Sequence, residues 1–411
     1  MSDVVIIGAG QAGLQLASSL RDNGFAGSIT MVGDEVHPPY QRPPLSKAFL
    51  AGTAPESMLF MQEPKFFADH AIDFRANDAV DTIDRELKQV NLRSGAFLPY
   101  SHLVIATGTR NRALPCVEGE TSGVVSLRTI EDAKALMQGL ERATKLVVIG
   151  AGFLGLEAAS IASDAKIEVR VIEAGSRALG RVVSAPVSEA VQAAHEARGV
   201  IFSFNEAVVA LHSTDGHVSS VELGSGERIP ADLVLVSIGV VPNSELAAAC
   251  GLTVHNGVVV DAQLLTEDPN ISSIGDCAAF PFAADGGRMV RLESVQNAVD
   301  QARCVADRLT GKVEAYDQVP TFWSDQAGLR LQMAGLARGD EDVVVRRDPA
   351  TGNFSAYCYR GDSLVAVESV SRLPDHMQAR KLLRMKISPS REQAGDPTFD
   401  LKQFVNKETA A

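Results

Sequence analysis

A glycine-rich turn near the start of the chain constrains its fold more than any other feature. The apolar run Val4–Ile7 has the length and β-branched composition of a buried parallel strand. It leads into GAGQAG at residues 8–13, after which apolar residues recur with helical spacing. A second strand at 28–32 follows, and Asp34 comes after the last glycine at the expected spacing of about 20 residues. A glycine turn alone is common, but the full pattern predicts dinucleotide binding, with the pyrophosphate at the helix N-terminus.

Composition limits the remaining possibilities. The chain has 411 residues, which favours about three domains, and a net charge of −13, which disfavours nucleic acid or an anionic membrane as a partner. Its five cysteines are scattered singly, without disulfide or metal-ligand spacing. The first strand begins almost at once, so no signal peptide is expected, and the longest apolar run is too short to span a membrane. We expect a soluble, cytoplasmic protein without a metal site.

The opening pattern occurs a second time. A strand at 146–149 leads into GAGFLG at 150–155 and a helix, and a strand at 168–172 then ends at Glu173. Outside these units, LVIATG at 103–108 resembles LVLVSIG at 233–239. The repetition predicts two dinucleotide-binding domains of one kind, and hence one cofactor that delivers electrons and one that receives them.

The expected fold class is α/β: two Rossmann-like dinucleotide-binding domains followed by a C-terminal α+β domain with short antiparallel strands. We expect a discontinuous first domain (1–112 and 241–317), a second domain (113–240) and a third domain (318–411). The pattern also predicts helices at 47–51, 66–72, 130–140, 185–198, 295–309 and 375–385 and a strand at 73–80. The proline-rich stretch 37–47 is interpreted as a stiff loop.

Eight motifs resemble one family in order and spacing. They are GAGQAG, RPPLSK (42–47), ATG (106–108), GAGFLGLE (150–157), IGVVPN (238–243), IGDC (274–277), LESVQNA (292–298) and FWSDQ (322–326). They resemble the FAD-dependent, NADH-using ferredoxin reductases of bacterial oxygenase systems, which include putidaredoxin reductase and the reductases of aromatic-ring dioxygenases. Apoptosis-inducing factor is a more distant relative. The resemblance covers nearly the whole chain and implies a glutathione-reductase-like fold.

The resemblance implies that the first dinucleotide is non-covalent FAD and the second NADH. The positions that match FAD-binding residues of the family are Gly8, Gly10, Ala12, Gly13, Asp34, Arg42, Lys47, Val80, Ala106, Thr107, Gly108, Arg128, Asp276 and Val295. Those that match NAD-binding residues are Gly150, Gly152, Phe153, Leu154, Gly155, Glu157, Glu173, Arg181 and Gly239. On their own, Asp276 is equally typical of a turn cap, and Val295 of a core residue.

The resemblance also implies that Lys47 and Glu157 form a catalytic pair beside the flavin. A cation there would stabilise negative charge that develops on the reduced flavin. Without the resemblance, Lys47 would be interpreted as a surface lysine. Glu157 would be an acid favoured by the dipole near a helix N-terminus.

Cofactor preference depends on the end of the second strand of the second domain. Glu173 can accept hydrogen bonds from a ribose 2′-hydroxyl and would repel a 2′-phosphate. Arg177 and Arg181 close by are the opposing observation, since an arginine there can bind that phosphate. We expect NADH to be preferred.

The positions of the cysteines limit the routes by which electrons can leave the flavin. Disulfide reductases of this plan use a cysteine pair, and peroxide-reducing relatives use an early cysteine, but none precedes Cys116 here. Electrons are therefore expected to leave the flavin singly, for a carrier docked near it. The resemblance implies that this carrier is an acidic [2Fe–2S] ferredoxin that serves a cytochrome P450 or a Rieske-type oxygenase. The alternatives are an NADH oxidase or quinone reductase, and a redox-signalling flavoprotein resembling apoptosis-inducing factor.

The expected docking surface for ferredoxin is basic. Arg380 and Arg384 share a helix face in a run of basic residues, and Arg288 and Arg291 are expected to extend the surface. Trp323 in FWSDQ is expected beneath the contact, although a core anchor is its alternative role. An ordinary solvated helix face is the alternative interpretation of the charge run.

Overall fold

A computed structural model describes residues 3–116 and 121–410. The first strands in chain order are β1 Val4–Ile7, β2 Ile29–Val32, β3 Ile72–Arg75, β4 Val80–Asp84, β5 Gln89–Leu92, β6 Phe97–Pro99, β7 His102–Ile105, β8 Thr109–Asn111, β9 Val124–Val125, β10 Lys145–Ile149, β11 Glu168–Glu173, β12 Ile201–Phe204 and β13 Val208–Thr214. The others are β14 His217–Leu223, β15 Arg228–Pro230, β16 Leu233–Val236, β17 Val240–Pro242, β18 Val258–Val259, β19 Ile271–Ser273, β20 Ala278–Phe282, β21 Arg288–Val290, β22 Thr321–Gln326, β23 Leu329–Gly335, β24 Asp342–Arg347, β25 Phe354–Arg360 and β26 Ser363–Val370.

The α-helices are α1 Gln11–Asp22, α2 Lys65–Asp69, α3 Ile130–Leu140, α4 Phe153–Asp164, α5 Ala185–Glu196, α6 Glu245–Ala249, α7 Val295–Leu309, α8 Leu373–Met385, α9 Arg391–Gly395 and α10 Leu401–Ala410. In the described ranges, no helix is long and apolar enough to cross a membrane. The chain divides into two compact units. The first comprises Met1–Gln41, Pro55–Arg110 and Val240–Gln318, and the second Arg42–Ala54, Asn111–Gly239 and Val319–Ala411. The division into three domains at the boundaries given above stays a prediction.

The first unit contains a parallel sheet in the order β19-β7-β1-β2-β3. Strands β1 and β7 are buried along their whole length, which is why, apart from His102 at the start of β7, they consist of apolar residues without polar alternation. Helices α1 and α7 pack against each other. The sheet therefore presents the carboxyl end of β1, with its glycine turn, at the edge where dinucleotides bind in such folds.

The second unit contains a parallel sheet with the corresponding order, β12-β11-β10-β16-β9. It also contains an antiparallel sheet in the order β22-β23-β26-β25-β24. Helix α8 contacts β23 and β26 of the antiparallel sheet, while α4 and α5 contact its edge strand β22. Both faces of the antiparallel sheet are therefore partly covered.

Several predicted elements have different bounds in the structure. The predicted helix at 47–51 is wrong: a single 3₁₀ turn, Pro43–Ser46, precedes Lys47, because prolines at the first helical positions have the required φ. The predicted strand at 73–80 is two strands, since Asn77 at φ 55° breaks the extended chain. The predicted helix at 66–72 is α2, which ends at Asp69. Helix α5 ends at Glu196 and α8 begins at Leu373.

Candidate functional site

Packing explains two of the three glycines in the turn after β1. Gly8 has a φ of 113°, and a Cβ added to it would lie 2.2 Å from the carbonyl oxygen of Ala106. A Cβ on Gly13 would lie 2.0 Å from the carbonyl oxygen of Gly8. A Cβ on Gly10, by contrast, would meet no atom of the described residues within 4 Å. The fold does not require Gly10, so the open space beside it fits a pyrophosphate bound to the N–H groups at the start of α1.

Two predicted acids follow residues that pack against this glycine loop. A Cβ on Gly33 would lie 2.8 Å from the Cβ of Ala9 in the loop, and the next residue, Asp34, is exposed. Gly275, with φ 76°, packs against the start of α1 and is followed by Asp276 in a single 3₁₀ turn. The arrangement suits FAD, because the loop supplies N–H donors and the two acids supply acceptors for hydroxyl groups.

The other predicted FAD positions of the first unit have varied surroundings. Ala106 lies against the glycine loop, and Gly108 has a φ of 66° after Thr107. Val80 is 8% exposed and belongs to a hydrophobic cluster, whereas Val295 is the half-buried first residue of α7. Their roles in binding FAD stay predictions.

Two residues that support Asp276 were not among the expected FAD residues. The fully buried Gln301 accepts a hydrogen bond from the backbone N–H of Gly275 at 2.7 Å. Arg291 donates to the carbonyl oxygen of Asp276 at 3.0 Å and pairs with Glu293 at 2.7 Å. Because only 9% of the Arg291 side chain is exposed, the expectation that it extends a docking surface is wrong. Arg291 holds the turn that carries Asp276.

Lys47 and Glu157 form an ion pair within the second unit. Lys47 Nζ lies 2.6 Å from Glu157 Oε1, and 23% and 6% of the two side chains are exposed. Ser46 donates to Glu157 Oε2 at 2.5 Å, and Ser324 donates to Oε1. The carboxylate thus has three side-chain donors, which is the compensation that a buried charge needs.

Ser324 belongs to a longer buried network. Gln326 donates to Ser324 Oγ at 2.8 Å and to the carbonyl oxygen of Phe153 at 3.0 Å, and its own oxygen lies 3.0 Å from His195 Nε2. Burial lowers the pKa of His195 from its usual value, which favours the neutral form of the ring. Ser324 and Gln326 both lie in the motif FWSDQ, which is the only sequence signal for this network.

The second glycine turn repeats the geometry of the first. A Cβ on Gly150, with φ 101°, would lie 2.3 Å from the carbonyl oxygen of Ser237, and one on Gly155 would lie 2.7 Å from that of Gly150. A Cβ on Gly152 would have no neighbour within 4 Å in the described parts of the chain. Here too the middle glycine leaves room for a pyrophosphate above the N-terminus of α4.

Three charged residues near this turn differ in how far their side chains are free to bind a nucleotide. The oxygens of Glu173 accept from the backbone N–H groups of Ala151 at 2.8 Å and Gly175 at 2.7 Å, which fixes the carboxylate beside the turn. Arg177 donates to the carbonyl oxygens of Val183 and Gly180 at 2.8 and 2.9 Å, so it shapes its own loop. Arg181 is exposed. Of the two arginines, it is therefore the one available to a nucleotide.

The remaining expected cofactor residues of the second unit lie on three segments. Arg42 donates to the carbonyl oxygen of Arg128 at 2.7 Å, and the backbone N–H of Arg128 donates to Asp132 at the start of α3. Gly239 has a φ of 98°. The first residues of α4 are Phe153, whose ring lies 4.6 Å from that of Phe322, and Leu154.

The exposed side chains of α8 are all apolar or basic: Leu373, Pro374, Met377, Arg380, Lys381 and Arg384. Trp323 is paired with Gln332 of β23, so the two side chains lie on the same face of the sheet. Gln332 and Ala334 also share a face because they are two residues apart in one strand, and Ala334 packs in a cluster with α8. Trp323 therefore lies on the face that α8 covers. The Trp323 side chain is 37% exposed. Arg288 belongs to the first unit and pairs with Asp285 at 2.5 Å.

Two cofactor turns and a buried lysine–glutamate pair define a class of protein, the oxidoreductases with two dinucleotide-binding sites. Comparison with known sequences agrees with this class. The model of the family "Pyridine nucleotide-disulphide oxidoreductase" matches residues 2–302, and the model "Reductase C-terminal" matches residues 321–405. The chain belongs to the pyridine nucleotide-disulphide oxidoreductase family.

Individual relatives match over nearly the whole chain. Rhodocoxin reductase of Rhodococcus erythropolis is 48% identical over 402 residues, which is 98% of this chain and 94% of that protein. The crystal structure of the ferredoxin reductase for the CYP199A2 system from Rhodopseudomonas palustris is similar at a TM-score of 0.96 and 44% identity, covering 98% of this chain and 100% of the other. The reductase in a covalent putidaredoxin reductase–putidaredoxin complex has a TM-score of 0.96 at 38% identity, covering 100% and 99%.

These comparisons confirm the predicted family, the fold class and the two kinds of cofactor, FAD and a nicotinamide dinucleotide, NAD(P)H. They do not test the roles of single residues. The structure pairs Lys47 with Glu157 as the resemblance implied, and it groups Asp34 and Asp276 with the first glycine turn and Glu173 with the second. The functions assigned to these residues stay proposals.

Proposed function

We propose that this chain is an NADH:ferredoxin reductase that passes electrons, through bound FAD, to a [2Fe–2S] ferredoxin serving a cytochrome P450 or a Rieske-type oxygenase. One observation supports direct electron transfer from the flavin to the carrier. The chain has two dinucleotide turns, but its five cysteines are single and free, and none precedes Cys116. Without a dithiol to receive electrons, they must leave the flavin directly for an external carrier.

The chemistry divides between cofactor and protein. FAD, when bound, supplies the conversion of a two-electron hydride donation into one-electron transfers. The residues around Gly10 and Asp276 would hold FAD, and those around Gly152 and Glu173 would hold NADH. Lys47 would supply positive charge that favours the reduced flavin, and Glu157 would fix the lysine in place.

Relatives support the choice of carrier. The names rhodocoxin reductase and putidaredoxin reductase–putidaredoxin complex each pair a reductase with a small redox protein. The same relatives cover the C-terminal domain, which contains β22 to β26 and α8. The five unpaired cysteines also support the expected cytoplasmic location, where thiols stay reduced.

We propose that ferredoxin docks on the face of α8 that carries Arg380 and Arg384. Leu373 and Met377, which are 55% and 47% exposed, lie on the same helical stripe and provide apolar contact area. A basic stripe on a chain of net charge −13 attracts an acidic partner to one place and leaves the rest of the surface repulsive. Trp323, exposed on the same sheet face, would extend the contact.

Charge reversal tests this surface. Arg380→Glu combined with Arg384→Glu should raise KM for ferredoxin several-fold and flatten the salt dependence of turnover, while flavin reduction by NADH is unchanged. Arg142→Glu, at an exposed arginine after α3, is the matched control and should change neither. Unchanged ferredoxin kinetics in the double variant would place docking elsewhere.

Reduction of cytochrome c by NADH tests the function itself. The rate should be low with the reductase alone and should rise strongly when a [2Fe–2S] ferredoxin is added. An NADH oxidase would consume NADH and oxygen at the same rate with or without ferredoxin. A signalling flavoprotein resembling apoptosis-inducing factor would turn over slowly in both cases.

A further inference from the structure

A line of buried hydrogen bonds connects α5 with the carboxylate of Glu157. His195 of α5 lies 3.0 Å from Gln326, Gln326 donates to Ser324 at 2.8 Å, and Ser324 donates to Glu157. The side chains of His195, Gln326 and Ser324 have no exposed surface. Buried polar groups in folded proteins are mostly hydrogen-bonded, and a network of such bonds fixes the orientation of the side chains that it joins.

Side-chain chemistry determines the direction of each bond. The amide N–H groups of Gln326 donate to Ser324 and to the carbonyl oxygen of Phe153, so its oxygen must accept from His195. The neutral ring of His195 has one N–H, which is therefore at Nε2. Ser324 accepts from Gln326 and directs its one proton to Glu157. Every donor in the line points toward the carboxylate.

The line ends at the atom that Lys47 binds. Lys47 Nζ lies 2.6 Å from Glu157 Oε1, which also accepts from Ser324, while Ser46 donates to Oε2 at 2.5 Å. We propose that Ser324, oriented by Gln326, is a positioning residue for Lys47: its hydroxyl shares Oε1 with the ammonium and so limits how strongly Glu157 neutralises that cation.

The physical consequence concerns the charge that Lys47 presents to the flavin, and it rests on the proposed function. Without the Ser324 hydroxyl, Oε1 has a single donor, and the carboxylate draws the ammonium closer. The positive potential beyond the pair then falls. The reduced, more negative form of the cofactor is stabilised less, so that both the rate of its formation and its midpoint potential decrease.

Ser324→Ala is the direct test. The limiting rate of flavin reduction at saturating NADH should fall about tenfold, the scale of one hydrogen bond to a charged group, with the dissociation constant for NADH unchanged. The midpoint potential of the bound FAD, measured without turnover, should become more negative. Ser324→Thr retains the hydroxyl and should restore both values.

Two further variants separate positioning from general loss of structure. Ser324→Ala in a Lys47→Ala background should have no additional effect, because the residue acts through the lysine. Ser355→Ala removes a buried hydroxyl of the same sheet, bonded to Ser369 at 2.9 Å, and should leave rate and potential unchanged.

The possible results distinguish failure of the Ser324 proposal from failure of the proposed function. A wild-type rate and potential in Ser324→Ala, or an equal further loss in the double variant, would overturn the proposal while leaving the proposed function intact. If NADH fails to reduce the flavin of the wild-type protein, the proposed function itself fails.

Discussion

Substitution of Gly152 by alanine tests whether this glycine is required by the bound ligand, in contrast to Gly155, which the packing of the fold requires. Gly152 has φ −81° and ψ 174°, which alanine adopts without strain, and its added Cβ would have no neighbour within 4 Å among the described residues. Gly155 differs, because a Cβ there would lie 2.7 Å from the carbonyl oxygen of Gly150 and 3.0 Å from Val148. The two glycines of one turn should therefore respond in opposite ways.

The expected magnitudes follow from these contacts. Gly152→Ala should leave the free energy of unfolding unchanged or raise it by about 0.4–1 kcal/mol, since the unfolded chain loses freedom. The methyl group would occupy the space through which the pyrophosphate approaches the backbone. Loss of one hydrogen bond to a charged group, about 1.5–3 kcal/mol, should raise the dissociation constant for NADH roughly 10- to 100-fold. The limiting rate should change little, because the reacting groups are untouched.

Two measurements on the FAD-loaded protein check this prediction. Stopped-flow flavin reduction against NADH concentration gives affinity and limiting rate, and thermal unfolding gives stability. Gly155→Ala is the control and should lower the midpoint of unfolding. If Gly152→Ala binds NADH as the wild type does, no pyrophosphate approaches that residue and the assignment of the second turn is refuted.

Three further predictions concern the charges of the site and of the core. Glu173→Ser should reduce the preference for NADH over NADPH at least tenfold, measured as the ratio of the two kcat/KM values. The substitution removes a carboxylate that repels a 2′-phosphate, and Arg181 is exposed nearby. An unchanged ratio would mean that other residues determine the cofactor preference. Lys47→Ala should slow flavin reduction at saturating NADH more than it weakens NADH binding, and an unaltered rate would remove Lys47 from the reaction. Burial lowers the pKa of His102 to about 3 and that of His376 to about 4. Below about pH 6.5 both histidines become protonated in the unfolded chain, whereas in the folded protein they stay neutral until the pH approaches these lower pKa values. Unfolding free energy should accordingly fall as pH drops from 6.5 to 4, by at most about 1.4 kcal/mol per pH unit for each histidine, and replacement of His102 by Gln should reduce the slope in denaturant titrations.

Local sequence patterns were sufficient for the two dinucleotide turns. The strand, the glycines and the acid that follows lie within one short segment, and their spacing is set by the turn itself. That is why Gly8, Gly150 and Glu173 have the surroundings in the structure that their spacing predicts. Helices α3 and α7 were also predicted at their observed bounds, since each has a Thr or Ser N-cap and a clear apolar period.

Contacts between distant segments were not predictable in the same way. Ser324 meets Glu157 and Gln326 meets His195 across more than one hundred residues, and no periodicity encodes such pairs. Arg291 shows the opposite error: its charge suggested an exposed docking residue, but its hydrogen bond to the carbonyl oxygen of Asp276 buries it. Charge in a sequence indicates which partners are possible, and only the fold determines which one is bound.

The stoichiometry of electron transfer tests the central claim most directly. In an anaerobic titration with the FAD-loaded protein in catalytic amount, each NADH consumed should reduce two equivalents of a [2Fe–2S] ferredoxin, because one hydride carries two electrons and the carrier accepts one. The two-to-one ratio is the expected result, and ferredoxin reduction should be lost completely when FAD is removed. Oxidation of NADH in air at an unchanged rate, with no ferredoxin reduced under anaerobic conditions, would contradict it.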